Sequence, residues 1–185
     1  MEIVFVHGAG SSADFWHWQP EAFPGARYVN LPGHGGEPPL PGGASVEGYA
    51  RWLEGYVAEE GLEKVCLVGH SMGGAIAQQV AVGKPWWLWA VVLVGTSARL
   101  RVSARLRDTL REDYPAAVDL IVKWSFARPE GDLTYAQKVR RNGTRKQMLR
   151  TPPEVTLGDY EACSRFDLSG RVGEITVPVL VLSGA

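Results

Sequence analysis

The chain has 185 residues, 45% of them hydrophobic, and a formal net charge of −1. That length suits one domain with a sizeable core, and the near-neutral charge gives no general pull toward nucleic acid or an anionic membrane surface. The apolar runs Ile3 to Val6, Val65 to Val68, Ala90 to Val94 and Val177 to Leu182 all fall far short of the ~20 residues that cross a bilayer. Met1-Glu2 leads directly into a strand-like segment without a signal-peptide pattern, and two isolated cysteines, Cys66 and Cys163, make no disulfide framework. Reduced, partly buried thiols and a cytoplasmic setting are the expectation.

Short apolar runs alternate with helical patterns, which predicts an α/β fold: a mostly parallel sheet flanked by helices. Glu2 to Val6 reads as the first strand and Asp14 to Phe23 as a short aromatic helix. Arg27 to Leu31 reads as the second strand, and the Gly- and Pro-crowded segment Pro32 to Gly43 as a loop. Ser45 is suited to cap a helix whose apolar stripe is Val46, Tyr49, Ala50, Leu53 and Val57. Lys64 to Gly69 predicts a third strand, Met72 to Val82 a helix of small residues, Trp89 to Val94 a fourth strand and Val177 to Leu182 a fifth. The tryptophans of Trp86-Trp87-Leu88-Trp89 fit core and junction packing better than a binding platform.

Between the last two strands the pattern turns helical, with Leu106, Leu110 and Tyr114 on one face, followed by Ala117, Leu120, Ile121 and Trp124. Leu100 to Pro152 carries twelve Lys and Arg against six Asp and Glu, so this stretch is basic within a neutral chain. The run Arg140-Arg141-Asn142-Gly143-Thr144-Arg145-Lys146 is most simply a solvated helix face. The expected organisation is a core of residues 1–97 and 167–185 with a helical lid of residues 98–166 inserted between its strands.

Two motifs carry chemistry. Gly69-His70-Ser71-Met72-Gly73 sits between a buried strand and a helix, the context that gives Gly-x-Ser-x-Gly its meaning. Such a turn leaves no room for side chains two residues either side of the serine, hence Gly69 and Gly73. It projects the Ser71 hydroxyl as a candidate nucleophile and places the Met72 N–H at a helix N-terminus, where it can donate to a developing oxyanion. The second motif, His7-Gly8-Ala9-Gly10, ends the first strand. Gly8 and Gly10 let its backbone approach a substrate, and the Ala9 N–H is the natural second oxyanion donor. A Gly-rich turn after a first strand also opens nucleotide-binding folds, but the spacing is not Gly-x-Gly-x-x-Gly and no P-loop lysine follows.

With Leu31-Pro32-Gly33-His34-Gly35, Val92-Leu93-Val94-Gly95-Thr96 and Val177-Pro178-Val179-Leu180-Val181-Leu182-Ser183-Gly184, these motifs run in one order along nearly the whole chain. The chain resembles the α/β-hydrolase superfamily, in the branch of small esterases, lactonases and related C–C bond hydrolases. The resemblance implies Ser71 as nucleophile, an oxyanion hole from Ala9 and Met72, a pocket for a small ester-like substrate between sheet and lid, and no cofactor, metal, nucleic-acid or membrane partner. Asn30 stands where many relatives carry aspartate.

The resemblance also implies an acid just beyond the strand Val177 to Leu182 and a later histidine, neither of which lies within the 185 residues. His7, His17, His34 and His70 read as packing or loop residues, and Asp159, Asp167 and Glu174 as caps or surface charges. The chain is therefore expected to be a C-terminally truncated fragment of a protein of roughly 230–250 residues. As it stands its turnover should be negligible, and Val177 to Leu182 should form a bare sheet edge. The alternatives are a non-catalytic binding protein on the same scaffold, or a C–C hydrolase or lyase using the same serine.

Overall fold

In the computed structural model, residues 1–126 and 133–184 are described. Residues 127–132 of the expected lid and residue 185 lie outside them. Five strands, β1 (Glu2–Val6), β2 (Arg27–Val29), β3 (Val65–His70), β4 (Leu88–Val94) and β5 (Val179–Leu182), form one sheet of order β2-β1-β3-β4-β5. Every pairing is parallel. Parallel neighbours need crossovers, and helices supply them: α2 (Val46–Glu59) joins β2 to β3, and α3 (Met72–Val82) joins β3 to β4.

The period-2 alternation of the strands sorts side chains to the two faces. Val4, Val6, Val65 and Leu67 pack with Tyr49, Leu53 and Val57 of α2 and Ile76 and Val80 of α3. Phe5, Cys66 and Val68 face the other way and pack with Trp16. Both cysteines are free and buried. Each fully buried aliphatic side chain contributes roughly 1.5–3 kcal/mol, which makes the β1–β3–α2–α3 sandwich the stable centre of the molecule.

Among the described residues four α-helices stand between β4 and β5: α4 (Ala104–Glu112), α5 (Tyr114–Trp124), α6 (Tyr135–Met148) and α7 (Pro153–Arg165). Leu106, Leu110, Ala117, Val118, Val122 and Met148 give them a small core of their own. An isolated antiparallel bridge, Arg99 to Asp167, closes the base of this insertion. The basic run of α6 is mostly exposed: Arg145 pairs with Asp119, and Arg140 lies over the Trp18 ring at 5.5 Å.

Three local expectations need correction. The aromatic helix over Asp14 to Phe23 is a 3₁₀ turn, Ala13–Trp16, followed by the single helical turn α1 (Gln19–Ala22), because so short a segment gains too few hydrogen bonds to extend as one helix. The Leu106–Leu110–Tyr114 stripe does not lie on one helix. Asp113 ends α4 and caps α5 by accepting from the Ala116 N–H at 3.0 Å. Of the tryptophan cluster only Trp87 is buried. Trp86 is 77% and Trp89 50% exposed, and Lys64 covers the Trp89 ring at 4.5 Å. Strand β5 is a sheet edge among the described residues, with its four apolar side chains exposed.

Candidate active site

The chain reverses between β3 and α3 at Ser71, whose φ of 52° and ψ of −115° place a non-glycine residue in the sparsely occupied positive-φ half of backbone space. The surrounding backbone holds it there. The Ser71 N–H donates to the Val94 carbonyl at 3.0 Å, and the Ser71 carbonyl accepts from the N–H groups of Gly74 and Ala75 at 2.9 and 3.1 Å. A Cβ on Gly69 would strike the backbone of Gly73, and one on Gly73 would strike the Val6 carbonyl. Both glycines are therefore dictated by close backbone approach. Met72 is the first residue of α3, so its N–H has no intrahelical acceptor and faces the end of the helix dipole that favours negative charge.

The turn after β1 meets this elbow directly. A Cβ on Gly8 would come 3.2 Å from the Ser71 Cβ and 3.0 Å from His70 Nδ1. Gly8, Ala9, His70 and Ser71 share the wall of one cavity of about 490 Å³, which Phe15, Ile121, Trp124, Phe126 and Met148 close with apolar surface. Of the residues singled out from the sequence, Gly8, Ala9 and Ser71 line this cavity. Gly10, Gly69, Met72 and Gly73 are buried and are not part of its lining.

The four histidines fall into separate environments. The His7 ring Nδ1 donates to the Gly8 carbonyl at 2.9 Å, and its Nε2 accepts from the Leu31 N–H at 3.1 Å. Those partners fix it as a neutral tautomer, and burial, with His34 nearby, lowers its pKa to about 3. His34, with its ring 4.8 Å from that of His7, meets acceptors on both nitrogens: the Pro32 carbonyl at 3.0 Å and Asp159 Oδ2 at 2.8 Å. Burial pulls its pKa down, but the Asp159 carboxylate and the backbone carbonyls outweigh it and the net direction is up. Acceptors on both ring nitrogens thus favour the protonated form of His34. His70 stacks on Phe15 with ring centroids 4.3 Å apart, and burial lowers its pKa to about 4, leaving it neutral. His17 is exposed and bonds the Asp14 carbonyl of its own turn.

Asp159 departs most from expectation. It is neither a cap nor a surface charge: no part of it is exposed. From α7 it accepts hydrogen bonds from Tyr49 Oη at 2.8 Å, His34 Nε2 at 2.8 Å and the Gly10 N–H at 2.9 Å. Burying a carboxylate is tolerable only when it is paired and its lone pairs are filled, as here. Asp167 and Glu174 do behave as surface charges, pairing with Arg99 and Arg171. Asn30 also has a local role, with its Oδ1 accepting from the Ala13 N–H at 2.8 Å. Among the described residues no group of three or more His, Cys, Asp and Glu side chains is arranged to hold a metal ion. No helix among them is long and apolar enough to cross a membrane.

Comparison with known proteins agrees with this architecture. A 2-succinyl-6-hydroxy-2,4-cyclohexadiene-1-carboxylate synthase from Salmonella newport (strain SL254) is 39% identical over 194 residues, covering 98% of this chain and 76% of the relative. The solved structure of a thermophilic esterase superposes with a TM-score of 0.79 at 31% identity, covering 97% of this chain and 68% of that one. The enol-lactonase from Burkholderia xenovorans LB400 shares the fold with a TM-score of 0.86 at 24% identity, covering 99% and 72%. Several other curated relatives are matched over 25% to 44% of their own length, and a relative from Bacillus subtilis (strain 168), 28% identical, over 72%. The model of the Alpha/beta hydrolase family matches residues 3–185, and the chain belongs to that family.

Proposed function

We propose that Ser71 is the nucleophile of a serine hydrolase that cleaves a small carboxylic ester, thioester or lactone through an acyl-enzyme. The backbone N–H groups of Ala9 and Met72 form its oxyanion hole. The observation that carries this reading is the strained Ser71 backbone, at φ 52°, on the wall of a cavity that also exposes Ala9. A polar residue held in an unfavourable conformation at a concave site is the pattern expected of an activated nucleophile. None of the four histidines is set up as its base: His7 and His34 have both nitrogens engaged, His17 bonds within its own turn, and His70 Nδ1 is buried without a partner. In this reading the base and acid come from outside residues 1–185. Helices α4 to α7 act as a lid, since Ile121, Trp124 and Met148 roof the cavity.

A second reading, lyase or C–C cleavage chemistry by the same serine, is suggested by the synthase relative, whose name specifies a carboxylate. The cavity favours the first reading. Among the described residues its lining includes aromatic and aliphatic side chains but no Lys or Arg to receive a carboxylate.

The decisive experiment treats the complete protein with a fluorophosphonate probe. Covalent labelling that disappears in Ser71→Ala is expected. Absence of labelling, or labelling that persists in the variant, sinks the reading and leaves a binding role. Turnover of neutral p-nitrophenyl esters, compared with dicarboxylate substrates, separates the two chemistries.

A further inference from the structure

The turn that presents Ala9 is tied locally only at Gly8, whose carbonyl accepts from the His7 ring Nδ1 at 2.9 Å. Its own closing bond, from the Ser11 N–H to the Gly8 carbonyl, is 3.3 Å long, beyond the usual range for an N–H···O bond. At Gly10, by contrast, the bonds come from far along the chain. Its N–H donates to Asp159 Oδ2 at 2.9 Å, and its carbonyl accepts from Thr151 Oγ1 at 3.1 Å. Gly10 has φ +63°, and a Cβ there would come 2.7 Å from Thr156 Cγ2. The α6–α7 region thus grips both backbone groups of one glycine and packs against the place where its side chain would be.

The grip is itself rigid. Asp159 is fixed by Tyr49 and His34 as well as by Gly10. Tyr114 Oη joins the Met148 and Thr151 carbonyls and Thr156 Oγ1 at 2.7, 3.0 and 3.0 Å, tying α5 to the two gripping segments.

We propose that Asp159 and Thr151 are positioning residues that set the Ala9 N–H for its role as oxyanion donor by clamping the adjacent Gly10 peptide from the inserted helices. Fixing the Gly10 N–H and carbonyl fixes the planes that flank it, and with them one end of the Ala9 dihedrals. Oxyanion donors act over a narrow window, about 2.7–3.1 Å from the developing charge, so a drift of about half an ångström carries a donor outside it. The clamp lies in the insertion, so seating of the inserted helices and competence of the oxyanion hole are one event. This inference rests on the Ser71 reading.

The test uses the complete protein with Asp159→Asn, Thr151→Val and, as a remote destabilised control, Leu53→Ala. Asparagine keeps the shape but sets an amide donor against donors that Asp159 accepts from. Three readouts are taken: kcat and KM on a p-nitrophenyl ester, Ki of a trifluoromethyl ketone whose adduct carries the oxyanion, and the unfolding midpoint. For Asp159→Asn, kcat should fall ~10–100-fold with KM nearly unchanged, and the ketone Ki should rise in parallel. Thr151→Val should shift the same two constants by ~3–10-fold. Leu53→Ala should lower the unfolding midpoint and shift neither constant.

Folded Asp159→Asn with the parent kcat and Ki overturns the proposal. So does a loss of activity in all three variants that merely follows their midpoints. If Asp159→Asn does not fold, Thr151→Val decides: unchanged constants overturn the proposal. A parent enzyme that labels at Ser71 while the variants stay fully active defeats only this inference, whereas a parent that never labels defeats the underlying reading as well.

Discussion

The turn after β3 and the turn after β1 face one cavity but are held by different means. The elbow at Ser71 is locked by neighbouring backbone: Val94 takes its N–H, its carbonyl starts α3, and Gly73 lies against β1. The turn at Gly8 to Gly10 depends on side chains far along the chain, with Gly10 and Asp159 separated by 149 positions. The first arrangement is built into the strand–turn–helix unit. The second takes its Gly10 contacts from α7 and the segment before it. One half of the site is therefore robust to change in the inserted helices, and the other is sensitive to it.

That contrast can be broken or sharpened by substitution. His34→Ala leaves the Asp159 carboxylate buried beside α7 without its charged partner, and should cost about 3–5 kcal/mol in urea unfolding. A cost near zero would show that the buried pair does not secure the distal turn. Gly73→Ala forces a Cβ into the Val6 carbonyl and should cost about 3 kcal/mol, since backbone on both sides blocks relaxation. If it is tolerated, the elbow is softer than its geometry indicates. Ser71→Gly removes the left-handed strain and should raise stability by about 1 kcal/mol while abolishing probe labelling. A Tm below the parent's would argue against stored strain.

A pH profile set by the buried histidines tests the same contrast without a new contact being removed. His7 and His70, with folded pKa values lowered to about 3 and about 4, contribute stability that is complete above the ordinary histidine value. It is lost as pH falls from there toward those lowered values. His34 works in the opposite sense. Its raised folded pKa gives stability that is complete below the ordinary value and is lost as pH rises through the folded one. Unfolding midpoints should decline on both sides of neutrality, and the alkaline decline should vanish in His34→Gln. An alkaline limb that survives that change would deny His34 its proton.

How much of this was legible in the sequence follows the same division. The five strands, their parallel order and the elbow are written in local signals: β-branched runs, a Gly-bounded serine, and a capping Ser45 whose Oγ accepts from the Gly48 N–H at 3.0 Å. The break at Asp113 had a local signal too, a capping aspartate followed by Pro115 in the first turn of α5. The periodic Leu106, Leu110, Tyr114 stripe masked it.

Asp159 was missed because charge usually means surface. The available clue was its place within the buried positions of α7, between Thr156 and the pair Ala162 and Cys163, where a solvated carboxylate would have no exit. What no pattern in one sequence supplies is its partner set, drawn from the loop at His34, from α2 and from the turn after β1. The exposure of Trp86 and Trp89 is equally non-local, because it depends on which elements reach the end of β4 nearest them.

The long reach from Asp159 back to Gly10 also has a consequence for biosynthesis. At about 5–20 residues per second, a ribosome covers the 149 positions from Gly10 to Asp159 in roughly 7–30 s. During that interval β1 is already in the nascent chain while its turn lacks the carboxylate that closes on it. The serine elbow has its own partners in hand as soon as β4 emerges, so the two turns are completed in vectorial order, the Ser71 elbow first and the turn beside it last.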